Sequence, residues 1–213
     1  MIRVAGLDLS MTSTGIARVR VDAPGALGHL KLYRIESYRA DVPKGEQPTL
    51  AERSARLASV LTRTVEVIAP LDRPEQWPDL VVVEAPSYGS TGYMQHDIAG
   101  NWWGPVRELI TMGLPVAEAS PSQLKIYAVG RGTTRDSAKS KAVTKAEVVA
   151  AVKTRYPESA RQIRDLGGGS DTADAMILAA IGLRYLGFPI DGDMPRTHLR
   201  AMDEIRWPER KPL

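Results

Sequence analysis

Cysteine is absent from all 213 residues. That excludes disulfides, iron–sulfur clusters and thiolate zinc, and it removes any reason to expect an oxidising compartment. Histidine is nearly as scarce: His29, His96 and His198 are scattered and form no ligand pair at helical spacing. A bound metal would therefore rest mainly on carboxylate oxygens, which selects a hard cation. Long apolar runs are missing too. The longest, residues 175–183, is about half of what a helix needs to span a bilayer. Arg3 and Asp8 interrupt the first ten residues, where a signal peptide would need an uncharged stretch. The expectation is a soluble, cytoplasmic protein with no membrane partner. Aromatic residues are only 6% of the chain, so no aromatic-rich base-stacking motif occurs, and no internal repeat is visible.

What is present suits one folded domain. Hydrophobic residues make up 43% of a chain whose length fits a single domain or a domain with a tail. The net charge of +3 hides an asymmetry. Residues 121–164 hold ten Lys and Arg against Asp136, Glu147 and Glu158, a net of +7 that leaves −4 for the rest. A basic segment beside an acidic remainder suits a polyanion whose phosphates one region grips while carboxylates elsewhere act on it; a solvated loop and helix face is the plainer alternative.

The order of elements follows from periodicity and punctuation. Residues 2–9, 15–21 and 29–37 read as β-strands, with turn chemistry at Asp22-Ala-Pro-Gly25, and form an antiparallel meander. Leu50, Leu57, Val60, Leu61, Val65 and Ile68 recur on one helical face. Residues 80–83, Leu-Val-Val-Val, are too few for a helix and suit a strand covered on both faces, ending at Glu84. A helix from about Ile98 to Met112 and a strand over 115–119 follow. Ser120 before Pro121, and the capping box Thr144-Lys-Ala-Glu147, start two more helices. Residues 171–186 are apolar nearly all round and predict a buried helix stopped by Gly187. The sum is an α/β sandwich with a mixed sheet in one domain, 1–187, and a C-terminal tail, 188–213, that packs little or packs on a partner.

Four acids fall where apolar residues belong. Asp8 lies in a central strand, Glu84 ends another, and Asp171 and Asp174 sit at i, i+3 on the buried helix. Burying a charge costs several kcal/mol unless something neutralises it. Singly, each has a plain explanation: Asp171 can complement a helix dipole, Asp8 can bond a turn, and Glu84 can be solvated. Together they are better explained by divalent cations, and Mg²⁺ accepts such ligands with substrate phosphates. Two such ions can activate water and stabilise the leaving oxygen of a phosphodiester.

These residues resemble the RuvC-like Holliday junction resolvases of the RNase H-like superfamily over most of the chain. GLDLSMTSTG (6–15) is similar to the family's first-strand motif, VVVE (81–84) to its fourth-strand motif, and DTADA (171–175) to its final-helix motif D-x-x-D-A. PSQLK (121–125) through Gly130, then KAEV (145–148), resembles the segment carrying two Lys near the scissile phosphate. The resemblance implies a mixed five-stranded sheet, three antiparallel strands then two parallel, flanked by helices. It implies an endonuclease cutting four-way DNA junctions with two Mg²⁺ or Mn²⁺ ions on Asp8, Glu84, Asp171 and Asp174, assisted by Lys125 and Lys145, and a homodimer with branched DNA as partner. The DNA-contacting set expected from it is Ser10, Thr12, Ser87, Tyr88, Lys125, Arg131, Arg135, Lys139, Lys141 and Lys145. Where the family commonly places an aromatic wedge, three residues after Glu84, this chain has Ser87, and Tyr88 follows.

Other readings of the same residues stay open. Gly6-Leu-Asp8 with Gly15 also resembles the first phosphate loop of actin-like and sugar-kinase-like ATPases, although no second D-x-G loop follows in a strand-to-strand context. Nucleases for other branched DNA or RNA–DNA hybrids carry the same chemistry, and a DNA-binding protein with an inactive nuclease fold is disfavoured by all four acids being intact. Trp102 and Trp103 read as filling the core or a dimer face, and Gly167-Gly-Gly-Ser170 as a flexible lead into the buried helix.

Overall fold

Three long antiparallel strands occupy the first 36 residues: β1 (Ile2–Asp8) pairs with β2 (Ser13–Ala23), and β2 with β3 (Ala26–Glu36). The computed structural model describes residues 1–37, 47–86, 95–132, 142–167 and 169–209. Gly25 turns the chain between β2 and β3 at φ +78°, a backbone state open to glycine without a Cβ penalty. Because this turn is so short, both strands run further towards it than the turn signals predict. β4 (Leu80–Glu84) joins β1 in parallel and β5 (Val116–Ala119) joins β4, giving the order β3-β2-β1-β4-β5. This is the mixed five-stranded sheet expected from the sequence. It is the one sheet among the described residues.

Strand alternation divides the core into two layers. Ala5, Leu7, Ile16, Val81 and Val83 face α1 (Leu50–Ile68) and α2 (Gln95–Thr111). Ile2, Val4, Ala17, Val19, Leu80 and Val82 face the other side, covered mainly by α6 (Ser170–Tyr185). The helix α1 starts at Thr49, whose side chain caps the Glu52 amide while Glu52 returns a bond to the Thr49 amide. Its fully buried residues, Val60, Thr64 and Ile68, lie in its second half, and Leu50 at the first turn is exposed rather than part of the apolar stripe. Asp97 of α2, itself buried, accepts hydrogen bonds at 2.8 and 3.1 Å from Arg53 Nε and ties the two helices together.

On the second face, α3 (Pro121–Val129) and α4 (Lys145–Arg155) begin at Ser120 and Thr144 with reciprocal capping bonds, as their sequences predict. A short helix, α5 (Pro157–Asp165), follows. Every residue of α6 from Thr172 to Leu183 is buried. Its close approach requires two strand glycines. A Cβ on Gly6 would stand 1.9 Å from the Ala175 carbonyl oxygen, and one on Gly15 2.1 Å from that of Asp171. With no side chains there, the first turns of α6 rest directly on β1 and β2.

The segment after Gly187 does not pack loosely. Ala201 and Ile205 are buried in the main core, Trp207 stacks on Tyr185 with ring centroids 3.9 Å apart, and α7 (Arg196–Leu199) lies against α3. Its apolar residues are spaced without a period, so each docks singly and no helical or strand pattern announces the contact.

Candidate metal centre

Alternation and register bring the acids together. Asp8 ends β1 on the α6 face, in step with Gly6 and Val4, and Glu84 ends the adjacent parallel strand on the same face as Leu80 and Val82. Since Leu7 is the register partner of Val83, the next residues, Asp8 and Glu84, are neighbours. Asp174, one turn into α6, is laid over them by the Gly6 and Gly15 contacts. One carboxylate oxygen from each of Asp8, Glu84 and Asp174 lies within 4.8 Å of the others. The site is at the carboxyl ends of parallel strands, where open α/β sheets place their ligands.

Neighbouring groups fix this geometry. Trp102 Nε1 donates to the Glu84 carbonyl at 2.8 Å and holds the end of β4. The β1–β2 loop is shaped by Ser10, whose Oγ donates to the Ser13 carbonyl at 2.7 Å and accepts from the Ser13 amide at 3.1 Å. Asn101 and Arg56 donate to the carbonyls of Ser10 and Met11 and hold that loop against α1 and α2. Thr12 is exposed.

Asp171 stands beside the cluster, outside the three that converge. It accepts from Ser13 Oγ and, at 3.2 Å, from Ser170 Oγ, and lies 3.9 Å from Lys145 Nζ. Ser13, Trp102, Asn101 and Arg56 carry no sequence signal for these roles, because each acts through a long-range contact.

Electrostatics show a site that is not neutralised by the protein. Burial pushes the Asp8 carboxyl well above its ordinary range, and the charges of Glu84, Asp174 and Asp171 push it further. Burial also raises Glu84, against the lowering effects of its hydrogen bond with Asp8 and of Lys145 and Lys125. Asp174 is pushed up to about 7, by burial first and Glu84 next. Lys125 and Lys145 are thus close enough to act on Glu84 and Asp174, and Lys145 is largely exposed. Arg131 pairs with Glu147. Ser87, Tyr88, Arg135, Lys139 and Lys141 lie outside the described residues.

The donor set fits a hard divalent cation: three carboxylates, no thiolate or imidazole, and protonation pressure that a cation would relieve. No helix among the described residues is long and apolar enough to cross a membrane.

No family model matches the chain, and no curated relative matches it either. Solved structures do. Thermus thermophilus RuvC aligns with 88% of this chain and 98% of its own, at 22% identity and a TM-score of 0.54. The same protein solved in complex with Holliday junction substrate aligns over the same shares at 18% identity and a TM-score of 0.54. The sheet order, the flanking helices and this alignment give the chain the RNase H-like fold of the RuvC-like resolvases.

Proposed function

We propose that this protein is a metal-dependent endonuclease that cleaves four-way DNA junctions. The observation that carries the reading is the convergence of Asp8, Glu84 and Asp174 within 4.8 Å, mostly buried. Asp8, Glu84 and Asp174, with Asp171 completing the set, would hold two Mg²⁺ or Mn²⁺ ions, whose chemistry would be to activate water and to stabilise the leaving oxygen of a phosphodiester.

The chain's own residues do the rest. Asp8 and Glu84 are rigid because they end paired strands, so the ligand oxygens are placed before substrate arrives. Asp171, turned by Ser13 and Ser170, faces Lys145 and keeps that ammonium at the rim of the site. Lys145 and Lys125 hold non-bridging phosphate oxygens as charge develops on them. Ser10, Thr12, Arg131 and the set outside the described residues, Ser87, Tyr88, Arg135, Lys139 and Lys141, contact the DNA backbone around the cut. Two cuts on a two-fold junction call for two such sites, so the functional unit is a homodimer, with α2 carrying exposed Trp103 and Ile110 as its contact face. The solved complex of RuvC with Holliday junction substrate supports the choice of DNA.

A single assay tests the reading: cleavage of a four-way junction, a fork, a linear duplex and an RNA–DNA hybrid in Mg²⁺, Mn²⁺, Ca²⁺ and EDTA. Junction cleavage is expected in Mg²⁺ or Mn²⁺ only, with binding retained in Ca²⁺. Cleavage that persists in excess EDTA sinks the metal mechanism, and equal cleavage of linear duplex sinks the junction preference.

A further inference from the structure

Away from the acidic centre, the sheet carries a second concentration of charge. On the face that α1 and α2 cover at the Asp8 end, β1, β2 and β3 place side chains in cross-strand rows. Leu7, Ile16 and Tyr33 form one row, Ala5, Arg18 and Lys31 the next, and Arg3, Arg20 and His29 the last. The face therefore passes from apolar to basic along the strands. Arg3, Arg18, Arg20, His29, Lys31 and Tyr33 line an open groove of about 1150 Å³, to which Arg63 and Arg73 also contribute.

Like charges directly opposite on an antiparallel sheet destabilise it. Here Arg3 faces Arg20, and Arg18 faces Lys31. Acids offset this only in part. Arg20 lies 3.7 Å from Asp22 in an exposed pair, and Arg73 pairs with Asp72 at its own edge. Glu66 and Glu75 line the groove, yet neither forms an ion pair among the described residues. Arg18 spends its guanidinium on the Val67 and Gln76 carbonyls, and Lys31 sits 5.0 Å from the Tyr33 ring centre. Among the described residues, Arg20 Nε makes no hydrogen bond beyond that 3.7 Å pairing with Asp22.

We propose that this groove binds the phosphate backbone of a duplex DNA arm, as an exosite remote from the cleavage centre. The inference rests on the DNA reading above and extends it. Arg3 and Asp8 are five residues apart on one strand, about 17 Å at ~3.4 Å per residue, or roughly five base-pair steps of B-DNA at 3.4 Å each. Asp8 faces α6 and Arg3 the opposite side of the sheet, so an arm leaving the acidic site reaches the groove only after rounding the sheet edge. Rows of cations held on a rigid sheet meet phosphates without ordering a loop, and each neutralised phosphate releases counterions.

The test is the variant Arg3→Gln/Arg20→Gln/Lys31→Gln in the full chain, with Ca²⁺ in place of Mg²⁺ for binding. Plain 30-base-pair duplex should bind about tenfold more weakly, and the slope of log affinity against log salt should flatten by between two and three, at ~0.9 per lost contact. The melting temperature at low salt should stay level or rise, since like charges have been removed, which separates the effect from misfolding. Junctions with arms of four base pairs, too short to reach the groove, should bind and be cut as by wild type. Unchanged duplex affinity and slope overturn the proposal. So does a loss confined to an acidic peptide such as polyglutamate, which assigns the groove to a protein partner instead. Duplex binding needs no cleavage, so a chain that cuts nothing but shows the flattened slope refutes the nuclease reading and leaves the exosite standing.

Discussion

Asp191 and Asp8 are both carboxylates removed from water, and the protein treats them in opposite ways. The Asp191 side chain is 0% exposed, and it accepts hydrogen bonds from Tyr127 at 2.6 Å, from Tyr156 at 3.0 Å and from the Arg184 guanidinium. Arg184 also donates to the Tyr127 hydroxyl and the Gly192 carbonyl. Burial and the charge of Asp191 hold both tyrosine hydroxyls protonated, above their ordinary range, so they remain donors. This is a closed network that fastens the C-terminal segment to α3, α4 and α6. Asp8 has no such set. Glu84 and Asp174, acids like itself, converge on it within 4.8 Å. A buried acid with its partners in the chain is structural, and three that converge on one another have the donor set a divalent cation takes.

The sharpest way to break this contrast is to neutralise one acid from each region. Asp8→Asn, Glu84→Gln or Asp174→Asn should each lower junction cleavage by about 10³-fold or more, ~4 kcal/mol in the transition state. The metal-free folded state should be no less stable, because a repulsive charge has gone. Asp191→Ala should do the reverse, leaving turnover per folded molecule near wild type at low temperature and costing about 3 kcal/mol of stability, since Arg184 loses its buried partner. Denaturant unfolding and single-turnover cleavage measure both. If Asp8→Asn unfolds the chain and Asp191→Ala stops cleavage, the two assignments are exchanged.

Metal addition without DNA sharpens the comparison next. Millimolar Mg²⁺ or Mn²⁺ should raise the melting temperature of wild type, the stability gained being about 2.7 kcal/mol at one hundred times the dissociation constant. The Asp191→Ala variant should gain as much, and the Asp8→Asn variant little. An equal gain in Asp8→Asn would place the cation elsewhere.

A smaller effect comes from pH. Asp174 is pushed up to about 7 in the folded chain, from an ordinary value of 3.8. The folded state therefore holds this proton more tightly than the unfolded state. Its favourable contribution is present at low pH and is lost as pH rises from about 4 to 7. Without metal, wild type should lose on the order of 2 kcal/mol relative to Asp174→Asn between pH 5 and pH 8. Mg²⁺ should shrink the difference. A flat difference across that window would mean that Asp174 stays charged in the fold.

The contrast between the two regions also explains what could be read from the sequence. Asp8, Glu84 and Asp174 were legible because each interrupts an apolar run, so a period of two or 3.6 exposes them. The strand segments and the caps at Ser120 and Thr144 were legible for the same reason, being local patterns. The Asp191 network was not, since Tyr127, Tyr156, Arg184 and Asp191 are ordinary residues until tertiary folding joins them. The basic groove escaped for a related reason. Arg18, Arg20 and Lys31 alternate with Ala17, Val19, Leu30 and Leu32, and only cross-strand register sums their charges. The charge of residues 121–164 lies in one segment, whereas this cluster is drawn from three strands.

Asp171 belongs fully to neither class and gives the finest test. It accepts from two hydroxyls within the chain, Ser13 and Ser170, and still lies 3.9 Å from Lys145 at the rim of the acidic centre. Its side chain is 14% exposed, between the sealed Asp191 and the open rim. If Ser13 holds the carboxylate at the angle the centre requires, Ser13→Ala should lower the cleavage rate at saturating DNA by about tenfold or less, ~1 kcal/mol, the usual worth of one hydrogen bond. Metal affinity should weaken with it and DNA affinity should not. Ser13→Thr keeps the hydroxyl and should restore part of the rate, whereas Ser13→Val fills the space without a donor and should not. Equal stability losses in Ser13→Ala and Ser13→Val, with rate per folded molecule unchanged in both, would move Asp171 to the structural side and leave a centre of three acids.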